Sequence, residues 1–216
     1  TTGRSKGAML SHGNLAENAT ALHAAWGFSD KDVLLHALPV FHVHGLFVAL
    51  HCALLSGAPM VWLPKFSDAD VLAGLQRSTV MMGVPTFYNP AFNADVARNV
   101  RLFISGSAPL LPSTFADFEQ RTGQRILERY GMSEAVIITT NPLEGDRIAG
   151  SVGFPLPGVE LRTDGDSETG VIQIRGPSVF SAYWRMPEKT AAEFTIDGFF
   201  ITGDVGRVDP DGRVWI

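Results

Sequence analysis

Short apolar runs alternate with amphipathic stretches along the first part of the chain. The runs are rich in Val, Ile, Leu and Met and are bounded by Gly, Pro or polar residues, which is typical of buried β-strands. The segments predicted as strands are VLLHAL (33–38), MVWL (60–63), TVMMGV (79–84), RLFIS (101–105), RILERY (125–130) and VIITT (136–140).

Helical periodicity fills several of the intervals between these runs. Apolar residues recur at helical spacing from Asn14 to Trp26, and Gly27 follows as a stop signal. A second helix is predicted over 67–77, where Ser67 is a suitable N-cap, and a third over 112–123, which begins with Pro and ends with Gly. This alternation predicts an α/β fold with a mostly parallel, helix-covered sheet.

The pattern changes at the Gly- and Pro-rich stretch GSVGFPLPG. Alternating strands joined by turn sequences such as DPDG follow it. The predicted strands are VELRT (159–163), GVIQIRG (170–176), GFFITGDVGRV (198–208) and GRVWI (212–216). We therefore expect an α/β subdomain over 1–157 and a smaller, strand-rich subdomain of the same large domain over 158–216.

Composition narrows the functional classes. The 216 residues are 45% hydrophobic and 18% charged, with a formal net charge of −5. Lys and Arg are not clustered, which argues against a nucleic-acid surface but allows a small anionic substrate. The longest apolar run is interrupted by His51, Ser56, Gly57 and Pro59, so no membrane span is predicted. No signal peptide is recognised either, and a cytoplasmic location is expected.

The opening segment TTGRSKG is a candidate anion loop. Its hydroxyls, its backbone amides and Lys6 are groups that bind phosphate, and its glycines let the backbone approach a ligand closely. A flexible Gly-rich turn before a helix is the alternative interpretation. The loop lacks the GxxxxGK[ST] spacing and a preceding strand, which disfavours a P-loop kinase or ATPase.

Five other residues carry candidate chemistry, each with a structural alternative. Glu134, after a Gly turn at a strand end, suits a metal that bridges nucleotide phosphates, or it caps a helix. Tyr130 can stack on a purine or pack in the core. Asp204 can accept hydrogen bonds from a ribose diol or serve as a turn residue. His42 and His44 lie two apart in an apolar context without an evident third metal ligand, so a substrate-pocket wall or a core histidine is favoured over metal.

Taken together, these segments resemble one family. The ordered set TTGRSKG, LPVFHVHGL, FISGSAPL, ERYGMSE, GSVGFPLPG and TGDVGRVDPDGRVWI is similar to the adenylate-forming superfamily of acyl-CoA synthetases, luciferases and peptide-synthetase adenylation domains. The resemblance covers the whole chain. SKGAMLSHGNL, HALPVFHVHGLFVAL, LPKFSDADVL, VMMGVPTFY and NPLEGDRIAGSVG are more similar to the malonyl-CoA synthetases of that superfamily than to fatty-acyl or aromatic ligases.

The resemblance implies an ATP-dependent acid–thiol ligase. Such an enzyme would use ATP, Mg²⁺ and coenzyme A to convert malonate into malonyl-CoA, AMP and pyrophosphate. The resemblance also assigns residues 1–157 to nucleotide and acyl binding. A ligase for another short or medium carboxylic acid and a non-catalytic nucleotide-binding remnant remain as alternatives. The implied partners are small molecules, without nucleic acid.

The resemblance also assigns roles to individual residues. Lys6, Glu134 and His42 would be catalytic, with His42 at the entrance of the acyl pocket and Thr2 and Glu134 at the magnesium site. The residues implied in ATP binding are Thr1, Thr2, Gly3, Ser5, Lys6, Gly7, Gly106, Ser107, Ala108, Tyr130, Gly131, Met132, Ser133 and Asp204.

Malonate has a second carboxylate, which a cation or several donors must meet in a buried pocket. The candidates near pocket-associated segments are Lys65, Arg98, Arg101, Ser105 and Thr86, of which we retain Arg101 and Ser105 together with His42 as the predicted substrate contacts. A solvated surface charge is the alternative for each basic residue.

Both ends of the sequence differ from the family pattern. In the family the phosphate loop continues upstream, and a hinge leads downstream into a small C-terminal domain that carries a catalytic lysine. The sequence contains neither segment. We therefore expect a fragment of the large N-terminal domain that is inactive by itself.

Overall fold

The computed structural model describes residues 5–165 and 167–216. Thr1, Thr2 and Gly3 of the predicted anion loop therefore lie outside the described residues.

The first strands form a parallel sheet, as predicted. They are β1 Leu34–His36, β2 Met60–Trp62, β3 Val80–Gly83, β4 Leu102–Ser105 and β5 Leu127–Met132. Their spatial order is β2-β1-β3-β4-β5, and every pair within it is parallel. Because parallel strands end at the same edge of a sheet, the segments that follow them converge there.

Helices connect and cover these strands. They are α1 His12–Trp26, α2 His51–Ser56, α3 Asp68–Leu75, α4 Ala94–Ala97, α5 Pro112–Thr122 and α6 Pro187–Ala192. The three predicted helices correspond to α1, α3 and α5, and Ser67 caps α3 by accepting from the Asp70 N–H. A π-helical segment, His44–Leu50, leads directly into α2. Among the described helices, none is long and apolar enough to cross a membrane.

Antiparallel strands extend the same sheet. They are β6 Val136–Thr140, β7 Ser151–Pro155, β8 Glu160–Thr163, β9 Thr169–Arg175, β10 Phe200–Val208 and β11 Val214–Trp215. The full order is β2-β1-β3-β4-β5-β6-β7-β11-β10-β9-β8, and β5 is parallel to β4 but antiparallel to β6. The structure thus shows an α/β sheet with a strand-rich continuation. The division at 157/158 stays a prediction.

The strands bury both faces of the parallel sheet. Leu34, Val80 and Leu102 point into a core shared with Leu22 and Trp26 of α1. Their neighbours point to the opposite face, as the period of a strand requires. That second core contains Leu35, Met81 and Phe103 of the strands together with Leu75 of α3 and Phe115 and Phe118 of α5. This two-sided burial explains why the strand sequences are continuously apolar.

Arg101 has a structural role that differs from its predicted one. Its guanidinium forms a bidentate ion pair with Asp32, at 2.7 and 2.8 Å, and donates to the carbonyls of Trp26 and Gly27 at the end of α1. Because Arg101 precedes β4, it lies at the amino edge of the parallel strands. This placement corrects the prediction that Arg101 binds substrate.

The same contacts explain the acidity of Asp32. Burial alone would raise the pKa of Asp32, but hydrogen bonds from Arg101, the Ser29 N–H and Thr79 hold that pKa below its usual value. The pair therefore ties helix α1 to the starts of β1 and β4.

We expect Arg101→Met to lower the free energy of unfolding by about 2 kcal/mol, because it leaves a largely buried carboxylate without its charged partner. Urea unfolding followed by tryptophan fluorescence measures this change. Arg98→Met is the matched control, since Arg98 is exposed and its contact with Asp95 is 3.8 Å long. An equal effect of both substitutions would contradict this account.

Candidate functional site

Two adjoining clefts open at the carboxyl edge of the parallel strands. The larger has a volume of about 840 Å³ and the smaller about 490 Å³. Ser107, Arg129, Gly131 and Asp204 line both clefts. The clefts therefore meet around the end of β5.

Most of the sequence-predicted residues converge on these clefts. Those that line the larger cleft are Lys6, His42, Ser107, Gly131, Met132, Ser133, Glu134 and Asp204. Those that line the smaller cleft are Ser105, Ser107, Ala108, Tyr130, Gly131 and Asp204. Ser5, Gly7 and Gly106 line neither cleft, nor do Lys65, Thr86 and Arg98. The ligand roles of the cleft residues stay predictions.

An ionic cluster occupies one wall of the larger cleft. The Tyr183 hydroxyl donates to Glu134 Oε1 at 2.8 Å and lies 3.3 Å from Glu193 Oε2. Lys6 Nζ lies 3.5 Å from the Tyr183 oxygen and 3.9 Å from Glu193 Oε1. Lys189 forms an ion pair with the same Glu193 carboxylate. Lys6 and two carboxylates thus contact the Tyr183 phenol, and Lys189 pairs with one of those carboxylates.

The backbone places Lys6 beside this phenol. Trp184 N–H donates to the Gly7 carbonyl at 2.7 Å, and Met9 N–H donates to the Ala182 carbonyl at 2.9 Å. An isolated antiparallel bridge joins Ala8 to Tyr183. The segment after the anion loop is therefore organised by residues that lie near the other end of the sequence.

Glu134 is compatible with a nucleotide-borne Mg²⁺. Mg²⁺ commonly takes one or two carboxylates and completes its shell with phosphates and water. Among the described residues, no group of three or more His, Cys, Asp and Glu side chains could hold a metal by itself. One carboxylate beside Lys6 therefore fits an ion brought in with phosphate groups.

Tyr130 and Asp204 join the two parts of the sheet across the clefts. The Tyr130 hydroxyl of β5 donates to Asp204 Oδ2 of β10 at 2.5 Å. Burial raises the pKa of Tyr130, and the Asp204 carboxylate raises it further, so the phenol remains a donor. This contact fixes the Asp204 carboxylate at the rim where both clefts meet.

Arg129 is a buried cation that the sequence analysis missed. It is 5% exposed, its Nε has no hydrogen-bond partner, and burial lowers the pKa of its guanidinium to about 10. Within the part of the chain that the structure describes, its side chain makes one hydrogen bond, from Nη2 to Ser107 Oγ at 3.5 Å. Among the described residues, no carboxylate forms an ion pair with it. An uncompensated buried charge is costly, so this position is suited to an anionic ligand.

His44 and His42 differ in environment. His44 is 2% exposed, and its Nδ1 lies 3.2 Å from Ser107 Oγ. Burial holds the pKa of His44 well below its usual value, and the positive charge of Arg129 lowers this pKa further. The His44 imidazole is therefore neutral. His42 is exposed at the cleft, where its Nδ1 accepts from the His44 N–H. His44, rather than His42, therefore contacts the buried groups.

Strained backbone supports the site. Ser107 has φ 67° and the β-branched Val136 has φ 59°, both in the left-handed region that such residues rarely adopt. A Cβ on Gly106 would lie 2.4 Å from Arg129 Cζ, and one on Gly131 would lie 2.0 Å from the Val136 carbonyl oxygen. Gly106 therefore serves the site by making room for Arg129, although it lines neither cleft.

Glu128 contributes a second buried charge, in the smaller cleft. It is 6% exposed, and Oε1 accepts from the Gly150 N–H at 2.9 Å. Burial raises the pKa of Glu128 to about 7, and the Gly150 hydrogen bond only partly opposes this shift.

Comparison with known proteins identifies the family. The family model described as "AMP-binding enzyme" matches residues 1–184. The chain belongs to the AMP-binding enzyme family.

Solved and curated relatives of this AMP-binding enzyme agree with that result. The crystal structure of ATP-bound MatB from Rhodopseudomonas palustris superimposes with a TM-score of 0.96 at 51% identity, over 100% of this chain and 45% of that one. A malonyl-CoA ligase complex with methylmalonyl-CoA and AMP gives a TM-score of 0.92 at 42% identity, over 100% of this chain and 50% of that one. The mitochondrial malonate–CoA ligase ACSF3 of Mus musculus is 39% identical in an alignment of 263 positions that covers 100% of this chain and 45% of the relative. The chain thus spans about half the length of the relatives it matches.

We expect Glu128→Gln to make the stability of this AMP-binding enzyme less dependent on pH. The folded-state pKa of about 7 exceeds the usual 4.5, so the native state binds more protons between these values and wild-type stability falls as pH rises through this window. Relative to wild type, the variant should gain about 1–3 kcal/mol between about pH 5 and about pH 8. Urea unfolding at several pH values measures this. Glu17→Gln, at an exposed position, is the control; a gain that is the same at every pH would contradict the assignment.

Proposed function

We propose that this chain is part of an AMP-forming acid–CoA ligase that acts on malonate. The observation that carries the choice of acid is Arg129, a buried guanidinium without a carboxylate partner at the junction of the two clefts. A monocarboxylate uses its one charge in the reaction, whereas malonate keeps a second carboxylate that must be neutralised. Neutral His44 and Ser107 lie beside Arg129 and add hydrogen-bonding capacity without competing charge.

The nucleotide would occupy the rest of the clefts. Lys6 is the cation suited to the β- and γ-phosphates, and Asp204 lies where it can accept hydrogen bonds from ribose hydroxyls. Tyr130 lines the smaller cleft with its hydroxyl fixed by Asp204, which leaves the ring available for a purine. Two of the solved relatives contain ATP or AMP, which supports placing a nucleotide here.

The first half-reaction joins the acid to the nucleotide. A malonate carboxylate oxygen attacks the α-phosphorus of ATP, an O–P bond forms, and the bond to the β-phosphate oxygen breaks to release pyrophosphate. The two reactants are both anions, so alignment and charge neutralisation are the main contributions the protein can make. Arg129 would hold the distal carboxylate and Lys6 the leaving phosphates, since both residues line the larger cleft.

Glu134, together with Thr2, would hold Mg²⁺. When bound there, the ion would offset negative charge on the pyrophosphate leaving group. Glu134 and Lys6 line the same wall, so their opposite charges can serve the metal and the phosphates respectively.

The second half-reaction releases the product. The thiolate sulfur of coenzyme A attacks the acyl carbonyl carbon, a C–S bond forms, and the C–O bond to AMP breaks with its electron pair remaining on the phosphate. His42 is exposed and lines the larger cleft, and we assign it the position at the cleft entrance that an incoming thiol would pass. Coenzyme A is therefore a co-substrate in this proposal.

Cytoplasm is the cellular location we propose, from the sequence. The mouse relative is described as mitochondrial, so the location needs a direct test. Fluorescence of a tagged native gene product in its own cell would decide it, and a signal confined to an organelle would contradict the proposal.

The malonate proposal is tested in a chimera in which R. palustris MatB supplies the segments that this chain does not cover. Pyrophosphate release with ATP should depend on malonate. Arg129→Gln should lower kcat/KM for malonate by about 100-fold, the effect of losing a charge-assisted contact of about 3 kcal/mol. For monomethyl malonate, which is uncharged at the distal end, the change should be less than about threefold.

Arg98→Gln is the control, because Arg98 is exposed and lines neither cleft, so kcat/KM for both acids should be unchanged. If Arg129→Gln lowers kcat/KM equally for malonate and monomethyl malonate, Arg129 does not bind the distal carboxylate. If acetate or octanoate drives pyrophosphate release as well as malonate does, the substrate is another acid. Nucleotide binding without pyrophosphate release would favour a non-catalytic remnant.

A further inference from the structure

We propose that Tyr183 is a positioning residue for Glu134, and that it couples the acidic metal-binding position to the anion loop. The inference rests on the proposed function, because it assigns Glu134 to a nucleotide-borne Mg²⁺. Tyr183 was not among the residues that the sequence pattern indicated.

The Tyr183 ring is fixed on several sides. The residue is 2% exposed and packs edge-on against Phe180, with ring centroids 4.7 Å apart. Its N–H donates to Thr190 Oγ1 at 3.0 Å, and its backbone bridges Ala8. The hydroxyl therefore projects into the cleft from a rigid base.

The direction of this hydroxyl distinguishes Tyr183 from a core tyrosine. Tyr88 is equally buried, and its hydroxyl donates to the backbone carbonyl of Ile104. The Tyr183 hydroxyl instead meets the side chains of Glu134, Glu193 and Lys6. A buried phenol that points at charged side chains in a cleft suits orientation of a ligand-binding group.

The phenol has one proton for two carboxylates. The distance to Glu134 Oε1 is 2.8 Å and that to Glu193 Oε2 is 3.3 Å, so the proton is donated to Glu134. Glu193 is compensated by Lys189 and lies near Lys6. Glu134 therefore has Oε1 held by the phenol, while Oε2 has no partner among the described residues and can turn to a cation.

This arrangement pre-orients the metal-binding carboxylate. A free glutamate loses rotamer freedom when it binds a metal, and a partner that already fixes one oxygen reduces that loss. Because residues 7–9 pair with 182–184, the same tyrosine also sets the distance between Lys6 and Glu134.

Tyr183→Phe should selectively weaken the Mg²⁺-dependent part of nucleotide binding. Calorimetric titration of ATP into the 216-residue chain, with excess Mg²⁺ and then with EDTA, gives two dissociation constants. The ratio of the EDTA value to the Mg²⁺ value should fall about 10-fold in the variant, as expected for a residue that orients a metal ligand. The EDTA value should change by less than about twofold. Tyr88→Phe, which also removes a buried hydroxyl, should leave the ratio unchanged.

A double-mutant cycle separates positioning from general packing. Glu134→Gln should abolish the Mg²⁺ dependence, and adding Tyr183→Phe to it should then change the ratio no further. Equal weakening of ATP binding with and without Mg²⁺, or an additive double variant, would overturn the role of Tyr183 alone. A folded wild-type chain that does not bind ATP under either condition would overturn the nucleotide-site proposal itself, and this inference with it.

Discussion

The pleat of strand β5 is the constraint on which the site depends. Successive side chains of a strand point to opposite faces, so Glu128 and Tyr130 cannot share a direction with Arg129. The larger cleft is lined by Arg129 and Gly131, whereas Glu128 and Tyr130 line only the smaller one. Strand β5 is also where parallel pairing changes to antiparallel pairing. This one short strand therefore contributes Arg129 to both clefts and Glu128 to the smaller cleft alone.

Desolvation gives these two charges their properties. Burial raises the pKa of Glu128 and lowers that of Arg129, which means that the fold holds each residue where its charged form is disfavoured. The molecule carries a net negative charge, yet Lys6, Arg129 and Lys189 all line the larger cleft. Glu134, Glu193 and Asp204 line the same cleft, so its cations and carboxylates are equal in number. The feature that suits the cleft to an anion is therefore the buried guanidinium of Arg129, which has no carboxylate partner among the described residues, rather than an overall positive charge.

Much of the fold could be predicted from local sequence, because the parallel strands are short, apolar and bounded by turn residues. The helix from His44 through α2 was missed because its sequence is apolar on all sides and has no amphipathic period. Strand β7 was missed because SVGFP has weak intrinsic preference for strand. It forms by pairing with β6 and β11.

Sequence motifs indicated the residues that lie in local turns. They did not indicate the residues whose place in the site depends on burial or on contacts between distant segments. Lys6, Glu134 and Asp204 lie in recognisable turns and do reach the larger cleft. The local sequence ERYGM gives no sign that Arg129 is buried, because it does not indicate that β5 is a central strand. Arg101 was misjudged because its position at the amino edge of β4 depends on strand direction in the folded sheet.

The pairing of residues 7–9 with 182–184 has a consequence for how the protein is made. Lys6 and Tyr183 are 177 positions apart, so Lys6 leaves the ribosome long before Tyr183 does. Contacts of such high sequence separation form late, because the loop between them must close first. Residues 7–9 therefore remain without their partner segment through most of synthesis. During that time the nascent chain can assemble its parallel sheet but cannot yet organise the wall that joins Lys6 to Glu134.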